Sequence, residues 1–421
     1  MREWLPCTGR PPWPGFRSTD HPQHRRNDEE GQFLQGLAPL QPFFSHILRR
    51  ALIFGAVPCQ GISESRQLRK PIDGLQLIAS QNAQVDSNHT TAMAPIIVPA
   101  NQPADRFYAG GARISSFRAD PPCASHQPED WVASTTCCHG CASLGLSRLP
   151  DGTFLADAVR AEPERWLGAE HVARYGADTK LLVKLLDAGQ RLPVHAHPHV
   201  DWAARHLGFK HGKAEAWYIL TPGCVWLSLK EAVDDKDLLE LVEAGKGTQL
   251  LDKMHKIDVV PHQTLYVPPG TLHAIGQGVM VVELQEPSDL SVLCEWEGFQ
   301  IDGLKHGHLG LGFPTALTAV DTKARTRDEA MRLVTNGVVS ESVCAEESNE
   351  YFVLERLHVD GEASTRRGFA IMIVLEGDVA LATEKSDALA LKKGSTVVIP
   401  HDDGELKLQG KADVLVARPP Q

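Results

Sequence analysis

The sequence lacks any run of about 20 apolar residues, so it offers no membrane-spanning helix. The nearest approach, Phe43 to Val57, is interrupted by Arg49 and Arg50 and lies too far from the start for a secretory signal core. Basic charge is not in excess: 42 Lys and Arg face 53 Asp and Glu, for a net charge of −11. Nucleic acid is therefore not an expected partner, because phosphate contacts along a backbone need clustered cations. A small anionic substrate needs only a local basic pocket. A disulfide framework is also missing. The nine cysteines are odd in number and irregularly spaced along 421 residues, which predicts reduced thiols and a cytoplasmic protein. Cys138 and Cys141 form a CxxC beside Cys137 and His139, but no second ligand pair is visible, so the cluster reads as a loop with incidental thiols.

What is present suits two or three folded units. Hydrophobic residues make up 42% and charged residues 23%, ordinary for a globular chain with more than one core. Residues 1–92 differ from the rest, with PPWPGF, HRRNDEE and polar stretches, and are expected to be a disordered or non-catalytic extension in which only Phe43 to Val57 has helical character. From residue 113 onward short β-branched runs alternate with turns. Leu181–Asp187, Arg191–Pro198, Ala216–Pro222, Val225–Leu229, Thr264–Pro269 and Val279–Gln285 read as strands. Ala156–Gly168 and Asp234–Gly247 read as helices closed by glycine, the second with acidic residues in its first turn. After residue 350 a second β-rich block repeats the rhythm of strand, glycine turn and strand. The expected organisation is mainly β: two jelly-roll barrels with helical insertions, over residues 93–315 and 316–421. The second block has no HxH pair, and its His401 stands alone, so no metal is expected there.

The sharpest signal is Gly189 followed, after five intervening residues, by His195-Ala196-His197. On a strand, positions i and i+2 share a face, so both imidazoles can reach one ion. Glu215 heads the next predicted strand, and Pro268-Pro269-Gly270-Thr271-Leu272-His273 adds a turn followed by a third histidine. Three histidines with one carboxylate form the ligand pattern of cupin barrels. The set suits zinc, iron(II), manganese or nickel, and spacing alone does not choose among them.

These residues, together with PEDW (Pro128 to Trp131), KLLDAGQRLPVHAHP, GKAEAWYIL, YVPPGTLHAIG, ELQEPSDLS and the tail from YFVLERL to VLVARP, resemble the type I mannose-6-phosphate isomerases over about residues 95–420. The resemblance implies a zinc-dependent cupin enzyme that interconverts mannose 6-phosphate and fructose 6-phosphate. It implies metal ligation by His197, Glu215 and His273, with His195 in place of the family's glutamine. It further implies Lys184 near the substrate, Lys213 beside Glu215, and an acidic run formed by Glu283 and Ser288-Asp289. One departure stands out: the family's active-site arginine, four residues beyond that aspartate, is Leu293 here, and no arginine lies between Arg205 and Arg325.

Aldose–ketose isomerisation moves a proton between C1 and C2 through an enediol. It needs a base and a partner for the developing oxyanion. By resemblance Glu283 is the candidate base. Lys213 and Asp289 join it as candidate catalytic residues, and Lys184 and Lys213 as candidate substrate contacts. A carboxylate lining an apolar barrel should have a raised pKa, which suits a base working near neutral pH. Alternatives are an isomerase of a non-phosphorylated sugar, suggested by Leu293, an iron dioxygenase using the same ligand set, and a non-catalytic sugar-binding protein. Oligomeric state is not readable from the sequence.

Overall fold

The structure is a computed structural model that describes residues 93–337 and 342–420. The expectations for residues 1–92 lie outside these. Strand β1 (Ile96–Ile97), a helix (Ala112–Arg118) and β2 (Glu129–Val132) come first, and three short helices (Leu155–Ala161, Pro163–Leu167, Ala169–Tyr175) lead into β3 (Leu182–Asp187). Then follow β4 (His195–Ala196), β5 (Glu215–Ile219), β6 (Gly223–Leu229), β7 (Met254–Val259), β8 (Thr264–Val267), β9 (His273–Ile275), β10 (Met280–Gln285), β11 (Val292–Leu293) and β12 (Val334–Thr335). The C-terminal block supplies β13 (Val353–Thr365), β14 (Ala370–Thr383), β15 (Leu389–Lys392), β16 (Thr396–Ile399) and β17 (Leu406–Arg418). The architecture is mainly β. Among the described residues no helix is long and apolar enough to cross a membrane.

The strands form three sheets. One runs β12-β8-β5-β10-β3-β2, a second β11-β4-β9-β6-β7, and a third β1-β16-β14-β17-β13 with β15 on β14. All named pairings are antiparallel. The first two sheets share one apolar core: Val183, Leu185, Ile219 and Val282 meet Val225, Leu227, Ile257 and Ile275 there.

The third sheet serves two cores at once, and alternation along its strands explains how. Ile371 and Ile373 of β14, Val398 of β16 and Leu415 and Ala417 of β17 enter the core of the first two sheets. Their neighbours Met372, Val374, Val397, Ile399, Val414 and Val416 enter a separate core with Val359, Leu381 and Leu408. Successive side chains of a strand point to opposite faces, so an unbroken apolar run marks a strand buried on both sides. IMIV and VLVA are such runs.

Two expectations need correction. The helix over Ala156–Gly168 is two helices broken at Glu162, which has φ −134 and ψ 60. Pro163 follows it, and the proline ring disfavours helical geometry in the preceding residue. The strand over Arg191–Pro198 pairs only at His195 and Ala196. Pro193 and Pro198 have no N–H to give to a ladder.

Candidate metal and substrate site

The registers of the first two sheets assemble the site. In the six-stranded sheet Trp131 pairs with Lys184, Lys184 with Glu283, and Glu283 with Trp217. One step along the same face, Gln285 pairs with Glu215. Directly opposed residues in antiparallel strands share a face, so these polar and aromatic side chains form one continuous row. In the five-stranded sheet His195 pairs with both His273 and Leu293. The two rows meet where His273 Nε2 lies 3.2 Å from Glu215 Oε1.

Each imidazole is fixed through its Nδ1, which contacts a backbone carbonyl: Pro193 for His195 (2.8 Å), Leu290 for His197 (2.7 Å) and Thr271 for His273 (2.8 Å). A carbonyl only accepts, so every Nδ1 carries the proton and every Nε2 presents a lone pair. Backbone carbonyls commonly orient metal-bound histidines in this way. Gly270 makes the turn before His273 with φ +83, the left-handed region that glycine occupies without penalty.

The ligand atoms of His195, His197 and His273 lie within 4.8 Å of one another, the one such group of three or more His, Cys, Asp or Glu among the described residues. Glu215 completes the cluster, with Oε2 3.1 Å from His197 Nε2. All four residues are buried. Burial, reinforced by His273 and His197, holds the His195 pKa well below its ordinary value. Burial and the Lys213 ammonium push His197 down to about 3. Burial would raise the Glu215 carboxyl, but Lys213 and the surrounding imidazoles outweigh it and keep the group ionised.

Neutral imidazole lone pairs and a carboxylate facing one another are all electron-rich. Such an arrangement is satisfied only by a cation. In part Lys213 provides one, since its ammonium donates to His197 Nε2 at 2.7 Å and to Glu215 Oε2 at 2.6 Å. His273 Nε2, buried, has no hydrogen-bond partner. The donor set and this orphaned nitrogen fit a divalent metal ion.

Beside this cluster lies a second group of charges. Lys184 is 3% exposed, with Nζ 3.3 Å from Glu283, 3.4 Å from Glu129 and 4.0 Å from Asp289, and it lies over the Trp131 ring. Burial raises the Glu283 carboxyl pKa, Lys184 opposes the rise, and Glu215 adds to it. Oxygen Oε2 of Glu283 has no hydrogen-bond partner. Asp289 accepts from the His139 backbone N–H (3.1 Å) and sits 3.6 Å from Arg106.

The sequence pattern did not single out Arg106, Tyr108 or Glu129. Arg106 and the Tyr108 hydroxyl both contact Glu129 Oε1, at 3.2 and 2.7 Å. Glu129 was visible only inside the PEDW segment. Arg106 arrives from the segment before the first long helix, and nothing in its local sequence marks its partners.

Asp289 also lines a cavity of about 430 Å³ with Ser288, Cys138, His139, Asp178 and His211. The imidazole cluster is not in that lining. The cysteines of this loop are free thiols. Burial raises Cys137 and pushes Cys138 up to about 12, so the loop holds no reactive thiolate from these two. Leu293 is buried and shares its face with His195.

A family model described as the mannose-6-phosphate isomerase cupin domain matches residues 344–419. Mannose-6-phosphate isomerase ManA of Bacillus subtilis is 29% identical over 245 residues, covering 56% of this chain and 74% of that protein. A mannose-6-phosphate isomerase of Streptococcus mutans is 25% identical over 283 residues, covering 65% and 84% respectively. The crystal structure of the Bacillus subtilis mannose 6-phosphate isomerase superposes with a TM-score of 0.57 at 21% identity, over 77% of this chain and 100% of that one. A mutant phosphomannose isomerase from Salmonella typhimurium gives a TM-score of 0.62 at 16% identity, over 78% and 100%. These two structures share the fold.

Proposed function

We propose that this chain, which belongs to the type I mannose-6-phosphate isomerase family of cupins, interconverts mannose 6-phosphate and fructose 6-phosphate through an enediol. The single observation that carries this reading is the pairing of a cation-seeking cluster with a neighbouring buried carboxylate of raised pKa, Glu283. Residues 93–315 would form the catalytic barrel and residues 316–421 a second barrel without metal. The alternating burial of β14, β16 and β17, which feeds a separate core, supports the second unit.

His195, His197, His273 and Glu215 would hold one divalent ion, for which zinc suits the nitrogen and oxygen donors. When bound it would supply Lewis-acid polarisation of the sugar oxygens. In the aldose-to-ketose direction, Glu283 takes the proton from C2 of the open-chain sugar and returns it to C1. The electron pair released at C2 forms the enediol and then the new C1–H bond, while the C2 hydroxyl proton moves to O1. Lys213 faces the developing oxyanion, which its contact with Glu215 aims it to do. Lys184 contacts the substrate and restrains Glu283. Asp289 ties Lys184 and Arg106 to the cavity and serves the sugar hydroxyls.

Leu293 places an apolar side chain on the His195 face, and this favours a second reading in which the sugar carries no phosphate. Against it stand the cations Lys184, Lys213 and Arg106 around the cluster. A coupled assay on the zinc-loaded full chain separates the two. Mannose 6-phosphate should be turned over with kcat/KM at least ~10²-fold above mannose, since a phosphate dianion makes charge-assisted contacts that the unphosphorylated sugar cannot. The reverse preference would establish the second reading. Turnover of neither sugar at full metal occupancy would overturn both.

A further inference from the structure

The Lys184 ammonium is divided almost equally between two buried carboxylates. Its Nζ lies 3.4 Å from Glu129 Oε2 and 3.3 Å from Glu283 Oε2. In other respects the two acids differ. Glu129 is saturated with donors: Oε1 accepts from Arg106 Nε (3.2 Å) and the Tyr108 hydroxyl (2.7 Å), and Oε2 accepts from Trp131 Nε1 (2.8 Å). Glu283 Oε2 has no hydrogen-bond partner. Burial would raise the Glu129 carboxyl, but Arg106, Lys184 and the bonds from Tyr108 and Trp131 outweigh it and keep the group ionised. Burial raises Glu283 in spite of Lys184. Two carboxylates pushed apart by their surroundings take different roles, here a fixed anion and a proton acceptor.

The strand register builds this contrast. Glu129 and Trp131 share a face of β2, Trp131 stands opposite Lys184 of β3, and Lys184 stands opposite Glu283 of β10. The Trp131 ring carries the ammonium over its face at 4.6 Å while its N–H holds Glu129.

We propose that Glu129 is a positioning residue for the isomerisation: it holds the Lys184 ammonium back, so that Glu283 is steadied but not captured in a full ion pair. The proposal rests on the reading of Glu283 as the base. Without the Glu129 charge, Lys184 keeps two acidic neighbours, Glu283 at 3.3 Å and Asp289 at 4.0 Å, of which Glu283 is the nearer. A carboxylate closed on an ammonium loses its proton more readily and takes one from carbon less readily. The other charged or titratable groups acting on Glu283 are Glu215 and Lys213 beside β5 and Tyr108 before the first helix. Arg106 stands behind, on Glu129 and Asp289. All of these, and the zinc, are common to the variants below.

The test is a titration and a rate profile on the full, zinc-loaded chain. Glutamate carboxyls are labelled with carbon-13, and the Glu283 resonance is assigned by its loss in Glu283→Gln. Glu129→Gln should lower the Glu283 midpoint by about one pH unit, carry the acid limb of kcat with it, and reduce the plateau kcat by about 3-fold. Glu129→Asp, which keeps the charge but withdraws it by one methylene, should shift the midpoint the same way by less. In a Lys184→Met background Glu129→Gln should shift it by less than about half as much, because the effect passes through the ammonium. A midpoint unmoved or raised in Glu129→Gln or Glu129→Asp would overturn the proposal, as would a shift of undiminished size without Lys184. A midpoint that falls as stated, in a chain that turns over neither sugar, would sink the isomerase reading and leave the coupling of Glu129 to Glu283 established.

Discussion

Glu283→Gln should lower kcat by about 10³-fold while leaving the metal content unchanged, because a positioned general base contributes roughly 10²–10⁴ and its amide cannot accept the proton. The substitution keeps the shape of a side chain that is 3% exposed and opposite Lys184 and Trp217, so circular dichroism should match the parent. The pH dependence follows from the same burial. The base works only when ionised, and burial raises its pKa above the usual carboxylate range. Activity should therefore rise with pH through that raised value. Lys184→Met should move the acid limb to still higher pH, since Lys184 holds the carboxyl down. An acid limb in the ordinary carboxylate range, or one unmoved by Lys184→Met, would remove Glu283 from the role of base.

His273→Ala should remove the metal and with it nearly all turnover. His273 is the ligand whose Nε2 finds no protein partner, so the fold does not depend on that nitrogen, whereas a cation does. The expected result is loss of stoichiometric zinc by elemental analysis and a fall in kcat/KM of at least ~10³-fold, with the secondary structure retained. Asp201→Asn, on an exposed helix position, serves as a control and should retain both. Zinc retained at parent affinity in His273→Ala would exclude this histidine from the cluster.

Much of this site was legible because strands deliver side chains at a period of two. The HxH pair is the strongest local signal, and the PxGxxH turn repeats its logic with a glycine that only φ +83 requires. Glu215 was picked out by its place at the head of a predicted strand between the two histidine motifs, whereas Lys213 and Glu283 carry no such mark and were picked out by resemblance to a family. Their meeting depends on the register of β5 on β10 and of β10 on β3, which residue types leave undetermined. Arg106 and Tyr108 escaped altogether, since their contacts with Glu129 span 23 and 21 residues of chain. The fold shows the same division. Long apolar runs such as IMIV announced strands, whereas Pro163 and the prolines flanking His195 shortened elements that periodicity alone extends.

Anomalous scattering at the zinc edge, from crystals of the zinc-loaded full chain, tests the central claim most directly. One peak per chain is predicted, bounded by the Nε2 atoms of His195, His197 and His273 and the carboxylate of Glu215. A loaded, active protein whose peak lies elsewhere, or that shows none at these four side chains, would contradict the account.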